Sequence, residues 1–184
     1  MSIILPKDRR MVAFLGSSSA PVDTYMYSSV EQTAAVLAQT GWRVVNFGSS
    51  GYMSAVVSGA TWGANQIALD EEQLGEMTQL IDCRSLVREG SLDDKLNIIS
   101  QMDALIICPG GYGTLLEFCL VAQLLQQGKL DWIPVYVVGT GWKMSMQVFN
   151  DHGFKNGYLQ QESAKYFRYI DFPVEAGREL CTTK

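Results

Sequence analysis

Histidine, paired cysteines and long apolar runs are scarce in this chain, and each scarcity argues against a class of function. His152 is the only histidine among 184 residues, whereas a zinc site usually needs several histidine or cysteine ligands. We therefore expect no metal ion. The four cysteines lack CxxC spacing, which is typical of reduced thiols, and we expect Cys108 and Cys119 to be buried because they lie in apolar runs. The four are Cys83, Cys108, Cys119 and Cys181.

Basic residues form no block, and the formal net charge is −5. Such a chain lacks the positive patch that nucleic acids and anionic membranes require. The apolar stretch at 1–6 is too short for a signal peptide, and no apolar run is long enough to span a bilayer. We therefore expect a cytoplasmic protein whose partner is a small molecule, with no nucleic acid and no membrane.

Strand and helix signals alternate along the whole chain, which is 47% hydrophobic and long enough to bury a full core. We expect a single domain over 1–184, with no long linker or internal repeat. The alternation predicts an α/β fold, a Rossmann-like, doubly wound, mostly parallel sheet with helices on both faces. The predicted strands are 11–15, 43–47, 79–86, 104–108, 134–138 and 166–170, and the predicted helices include 24–39, 54–65, one capped by Ser91, and one that begins near Thr114.

Ligands of such sheets bind at the carboxyl ends of the strands, where the strand order reverses. We place the reversal between the first and fourth strands. The loop at 16–18 and the loop at 109–114 then face each other across one crevice, with the loop at 48–51 beside them.

The fourth strand runs directly into a glycine loop, which reads PGGYGTLLE over 109–117. Three glycines within 110–113 let the backbone turn and approach a ligand closely. The helix that follows presents free N–H groups and the positive end of its dipole, which suits a phosphate. Glu117 falls on the first turn, within reach of a ribose. The alternative is a tight connection without a ligand, in which the glutamate only complements the helix dipole.

The sequence of this loop resembles the PGGxGTxxE signature of the Lonely guy family of nucleoside 5'-monophosphate phosphoribohydrolases. Many members of that family carry the label lysine decarboxylase-like. The resemblance implies hydrolysis of the N-glycosidic bond of an AMP-like nucleotide to free base and ribose 5-phosphate. It also implies that Glu117 is the catalytic carboxylate. The phosphate would be held by Gly110, Gly111, Gly113 and Thr114.

Two further segments are similar to the family pattern with changes. Residues 14–18 look like its CGSS segment, with Leu15 at the cysteine position, and add Gly16, Ser17 and Ser18 to the candidate nucleotide-binding residues. These serines are also common in turns and helix caps. Residues 46–54 match GGGxxGLMG only at Gly48, Gly51 and Met53. Side chains at Asn46 and Phe47 are expected to narrow the loop and alter substrate choice.

The family's catalytic Arg-Lys pair corresponds to Asp94 and Lys95, so the lysine is kept and the arginine has become an acid. Lys95 is therefore the second candidate catalytic residue, and Arg88 is a nearby cation that could compensate. Because a cationic contribution is missing, we expect slow turnover. A non-catalytic nucleotide- or cofactor-binding carrier or sensor is the alternative function.

Three further expectations concern cofactor, assembly and single residues. Nothing resembles a Schiff-base lysine site, so we expect no cofactor and no genuine lysine decarboxylase. The helix over 115–125 is apolar on more than one face, and dimers are usual in the family, so we expect a homodimer.

Trp142 follows the fifth strand and suits either base stacking or packing, with packing favoured. His152 is expected at a helix end.

Overall fold

The structure is a computed structural model that describes residues 4–5, 9–22, 24–65, 80–82 and 92–182. Within these residues, six strands form one parallel sheet in the order β3-β2-β1-β4-β5-β6. The strands are β1 Met11–Leu15, β2 Arg43–Asn46, β3 Leu80–Asp82, β4 Ala104–Ile107, β5 Val135–Val138 and β6 Arg168–Ile170. The helices are α1 Tyr25–Gln39, α2 Tyr52–Asn65, α3 Leu92–Ile99, α4 Tyr112–Gln126, α5 Thr140–Lys155 and α6 Pro173–Thr182, with a 3₁₀ helix at Gln161–Lys165.

The doubly wound fold and its strand reversal are as predicted. β1 pairs with β2 on one side and with β4 on the other, so the order reverses between the first and fourth strands. β1, β4 and β5 are buried at every position, which explains why they read as continuous apolar runs instead of alternating ones.

The sheet separates two cores. Helices α1, α2 and α6 cover one face, and α3, α4 and α5 cover the other. On the first face, α1 and α2 approach each other closely. A Cβ atom on Gly59 of α2 would lie only 2.0 Å from Glu31 O of α1, and a Cβ atom on Gly63 only 2.3 Å from Ala35 O. Two glycines therefore set this helix crossing.

Helix α1 begins and ends where local signals place it. The Thr24 side chain accepts a hydrogen bond from Tyr27 N at 3.2 Å, which caps the N-terminus. Gly41 has φ +89°, the left-handed conformation predicted for it after the helix.

Several predicted boundaries were wrong by a few residues. β2 ends at Asn46, whose side chain turns back on the following loop, and α2 begins at Tyr52 instead of 54. α4 begins at Tyr112 instead of Thr114, because Gly111 already serves as its N-cap. Glu117 therefore lies in the second turn of α4, which corrects its predicted place on the first turn. The predicted third strand overlaps β3, while Cys83, Arg88 and Ser91 lie outside the described residues.

Cys119 is exposed, which corrects the expectation that it is buried. It follows the buried Phe118 on α4, and a step of one residue turns a helical side chain by about 100° away from the sheet. Cys108 is buried as expected. None of the described helices is both long enough and apolar enough to cross a membrane.

Candidate functional site

Three loops at the carboxyl edge of the sheet are held side by side by backbone hydrogen bonds. Cys108 N donates to Leu15 O at 2.7 Å, and Ser17 N donates to Pro109 O at 3.1 Å, which join the β1 and β4 loops. Tyr52 N donates to Ser17 O at 3.0 Å and attaches the start of α2. The three loops therefore form a preorganised frame.

A cavity of about 330 Å³ opens between these loops and brings ten of the twelve predicted site residues together. Those ten are Gly16, Ser17, Ser18, Gly48, Met53, Lys95, Gly111, Gly113, Thr114 and Glu117. Four further residues line it and were not among the predicted site residues: Phe14, Leu15, Ser19 and Phe47. All four lie close along the chain to predicted site residues, and Phe47 is the one that the sequence already led us to expect would narrow its loop.

Gly51 and Gly110 were predicted as site residues, but they do not line this cavity. A Cβ atom on Gly110 would lie 2.1 Å from Thr114 Oγ1. Gly51 has φ +58°, and a Cβ atom there would lie 2.2 Å from Ser17 O. Both glycines therefore allow close packing of the loops behind the cavity wall.

Gly111 and Gly113 have open space beside them. No atom outside the adjoining backbone lies within 4 Å of a Cβ atom built on either residue. The first α4 hydrogen bond runs from Leu115 N to Gly111 O at 2.9 Å, so the preceding amides of the helix have no acceptor within it. A helix N-terminus of this kind is suited to an anion.

An ion pair joins α3 to α4 on the cavity wall. Lys95 Nζ lies 2.7 Å from Glu117 Oε1 and donates a hydrogen bond to it. The Glu117 side chain is only 12% exposed and that of Lys95 33% exposed. The pair supplies a carboxylate able to stabilise positive charge, beside an ammonium group that can donate a proton.

Asp94 is buried and does not line the cavity, although its neighbour Lys95 does. Successive residues of a helix point about 100° apart, so only one of the two can face the site. An arginine introduced at position 94 would have to be accommodated in the protein interior. Lys95 is the cationic side chain that the described residues bring to Glu117.

Trp142 packs behind the glycine loop. Its Nε1–H donates to Cys108 O at 3.2 Å, and its ring centroid lies 5.9 Å from that of Phe118. These contacts agree with the packing role favoured from the sequence. Trp142 and Gly110 also line a smaller cavity of about 250 Å³ on the other side of the glycine loop. His152 lies in the last turn of α5, as expected.

Cys108 lies next to the site but is not a nucleophile at neutral pH. Its complete burial raises the pKa of the thiol to about 12. A buried neutral thiol of this kind acts as a small apolar side chain.

Two curated rice proteins are similar to this chain along almost its whole length. Both are from Oryza sativa subsp. japonica and are described as probable cytokinin riboside 5'-monophosphate phosphoribohydrolases, LOGL6 and LOGL2. The first is 27% identical over 192 residues, covering 98% of this chain and 73% of the relative. The second is 25% identical over 190 residues, covering 97% and 74%.

Solved structures share the fold at lower identity. The molybdenum cofactor binding protein of Rippkaea orientalis superposes with a TM-score of 0.62 at 17% identity, covering 96% of this chain and 100% of that one. The molybdenum cofactor carrier protein of Chlamydomonas reinhardtii gives a TM-score of 0.58 at 18% identity, covering 94% and 96%.

The resemblance to the Lonely guy family, drawn from the glycine loop, is confirmed by the relatives and by a family-wide comparison. The family model described as possible lysine decarboxylase matches residues 53–180, which is more than half of the chain. The chain therefore belongs to this family.

Proposed function

We propose that this protein hydrolyses the N-glycosidic bond of a nucleoside 5'-monophosphate and releases free base and ribose 5-phosphate. The observation that carries the proposal is the Glu117–Lys95 ion pair on the wall of the same cavity as the open glycines of the loop. A ribose 5-phosphate has a phosphate at one end and the anomeric carbon at the other. The anion site suits the phosphate, and the carboxylate suits the anomeric carbon.

The phosphate would bind at the N-terminus of α4. The amides of Tyr112, Gly113 and Thr114 precede the first hydrogen bond of that helix, and Gly111 leaves the approach open. Ser17 and Ser18 line the cavity on the neighbouring β1 loop, and their hydroxyl groups would donate hydrogen bonds to phosphate oxygens. This assignment explains why bare backbone borders the cavity at that point.

Glu117 would act on the ribose. When the bond between the anomeric carbon and the base nitrogen breaks, positive charge develops on the ribose, and a nearby carboxylate stabilises it. Water then adds through its oxygen to the anomeric carbon and loses one proton to the Glu117 carboxylate. The departing base takes a proton from Lys95, the nearest charged donor to Glu117 among the described contacts. The proton on Glu117 then returns to Lys95 along their hydrogen bond, which restores the ion pair.

The second candidate function is a non-catalytic nucleotide- or cofactor-binding carrier or sensor. Two sequence changes support it: an acid at position 94, where the family has arginine, and side chains at positions 46 and 47. The molybdenum cofactor proteins share the fold at 17–18% identity. They are examples of cofactor-binding and carrier proteins with this fold, and they assign no ligand to this chain.

A turnover assay with AMP separates the two functions. Wild-type protein is expected to release adenine and ribose 5-phosphate in equal amounts, measured by chromatography. Glu117→Gln should abolish release and retain AMP binding, because the lost charge matters chiefly as the ribose becomes positive. Glu162→Gln is the matched control, since Glu162 is exposed on the 3₁₀ helix. Binding of AMP by wild type without release over hours would support the carrier function instead.

A homodimer is also proposed, formed through α4 and α5. Among the residues of α5, only Gly153 is buried, while Met144, Val148 and Phe149 are 64%, 72% and 59% exposed. Leu116 on α4 is 50% exposed. Apolar side chains on two helices that cover one face of the sheet suit burial against a second copy. Light scattering at micromolar concentration should give twice the monomer mass, and Val148→Asp should lower it to the monomer mass.

A further inference from the structure

Asn46 is a buried polar residue whose side chain forms hydrogen bonds to the loop that follows it. It ends β2 and is fully buried. Its Nδ2 donates to Gly48 O at 2.5 Å, and its Oδ1 accepts a weaker hydrogen bond from Gly48 N at 3.4 Å. Both ends of one side-chain amide are therefore used on the backbone of a single residue, two positions further on.

This bridge encloses Phe47. The Phe47 side chain packs partly against the core that contains α4, and Phe47 also lines the cavity between the three loops. With its neighbours on both sides held by the Asn46 side chain, the backbone of Phe47 has little freedom to withdraw. The cavity consequently has an aromatic wall carried by a restrained backbone.

Strand order places this wall at the far side of the cavity from the glycine loop. β1 lies between β2 and β4, and adjacent strands are separated by about 4.8 Å. The β2 and β4 loops are thus about 10 Å apart, with the Ser17–Ser18 loop between them. A ligand held by a phosphate at Gly111 would reach Phe47 only with its opposite end.

We propose that Phe47 is a specificity-determining residue on which the planar base of the nucleotide stacks, and that Asn46 is the positioning residue that holds it there. This inference rests on the proposed function, because it assigns the base end of the same ligand. Aromatic rings stack favourably on nucleobases whatever their hydrogen-bonding edge, so the wall recognises a planar ring and not a particular base.

Calorimetry with two ligands tests the inference, with each change made in Glu117→Gln protein, which should bind AMP without hydrolysing it. AMP carries both phosphate and base, whereas ribose 5-phosphate carries no base. Phe47→Ala should weaken AMP binding by about 10-fold or more and leave the affinity for ribose 5-phosphate unchanged. Phe47→Trp should retain AMP affinity. Asn46→Ala should reduce AMP affinity in the same selective way, and Phe47→Ala alone decides the question if Asn46→Ala does not fold.

The outcomes separate this inference from the function on which it rests. Glu117→Gln protein that binds AMP and ribose 5-phosphate equally well would leave the phosphate site standing and overturn the stacking wall. Equal loss of both ligands on adding Phe47→Ala would also overturn it, because the residue would then shape the whole cavity. Glu117→Gln protein that binds neither ligand would remove the proposed function together with the inference.

Discussion

The loops after β4 and β2 border the same cavity, but they use their residues in opposite ways. After β4, Gly111 and Gly113 keep the backbone bare and the neighbouring space open. At the end of β2, Asn46 forms a hydrogen-bonded bridge to Gly48, and Phe47 within that bridge adds an aromatic residue to the cavity wall. The two loops therefore suit different parts of one ligand: the loop after β4 suits the phosphate, and the loop after β2 suits the planar base.

The largest effect is expected at the bare loop. Gly111→Val should weaken AMP binding at least about 100-fold, since a branched side chain would cover amides that each contribute roughly 1.5–3 kcal/mol to a charged ligand. The fold should survive because Gly111 has φ −96° and open space around it. Calorimetry measures the loss.

Gly141→Val provides the matched control for that variant. Gly141 also has open space beside it and lies in the first turn of a helix, but it borders the smaller cavity. Its substitution should leave AMP binding unchanged. Equal loss in both variants would show that the bare loop has no special part in binding.

The ion pair gives the next effect. Lys95→Met should lower kcat about 100-fold, because the departing base loses its proton donor and Glu117 loses the ammonium group 2.7 Å away that orients it. Affinity for ribose 5-phosphate should change little, since the phosphate contacts remain. Lys165→Met, on the 3₁₀ helix, is the control. Unchanged turnover in Lys95→Met would mean that the pair is only structural.

A smaller effect distinguishes glycines that serve the fold from those that serve the ligand. Gly51→Ala should reduce the free energy of unfolding by about 1–2 kcal/mol, because position 51 has φ +58° and abuts Ser17 O. Gly111→Ala should cost less than about 1 kcal/mol by the same measurement. Denaturant unfolding compares the two, and equal losses would contradict the distinction.

The smallest effect concerns Cys108, which lies between β4 and the bare loop. The pKa of the Cys108 thiol is raised by burial from 9.0 to about 12. Below pH 9 its contribution to stability is constant. Between pH 9 and 12 the unfolded chain releases this proton first, so stability falls as pH rises, by about 1 kcal/mol at pH 10. Cys108→Ala should make this part of the pH profile shallower, while Tyr136, whose pKa is also raised by burial to about 12, keeps some of the slope. An unchanged slope would contradict the assignment.

Much of the frame could be predicted from sequence because its signals are local. Strands buried on both faces read as apolar runs, and the glycine loop carries its own helix start. The Lys95–Glu117 pair could not be derived from local pattern, since it depends on how α3 packs beside α4. The Asn46 bridge was also hidden, because an asparagine at a strand end suits many turns. Cys119 was placed wrongly because an apolar run does not reveal which helix face meets the sheet.

A crystal structure of Glu117→Gln with AMP tests the division between the two loops most directly. The account predicts phosphate oxygens about 3 Å from the amide nitrogens of Tyr112, Gly113 or Thr114, with the adenine ring against Phe47. A phosphate bound away from the N-terminus of α4, or a base lying in the smaller cavity beside Trp142, would contradict it.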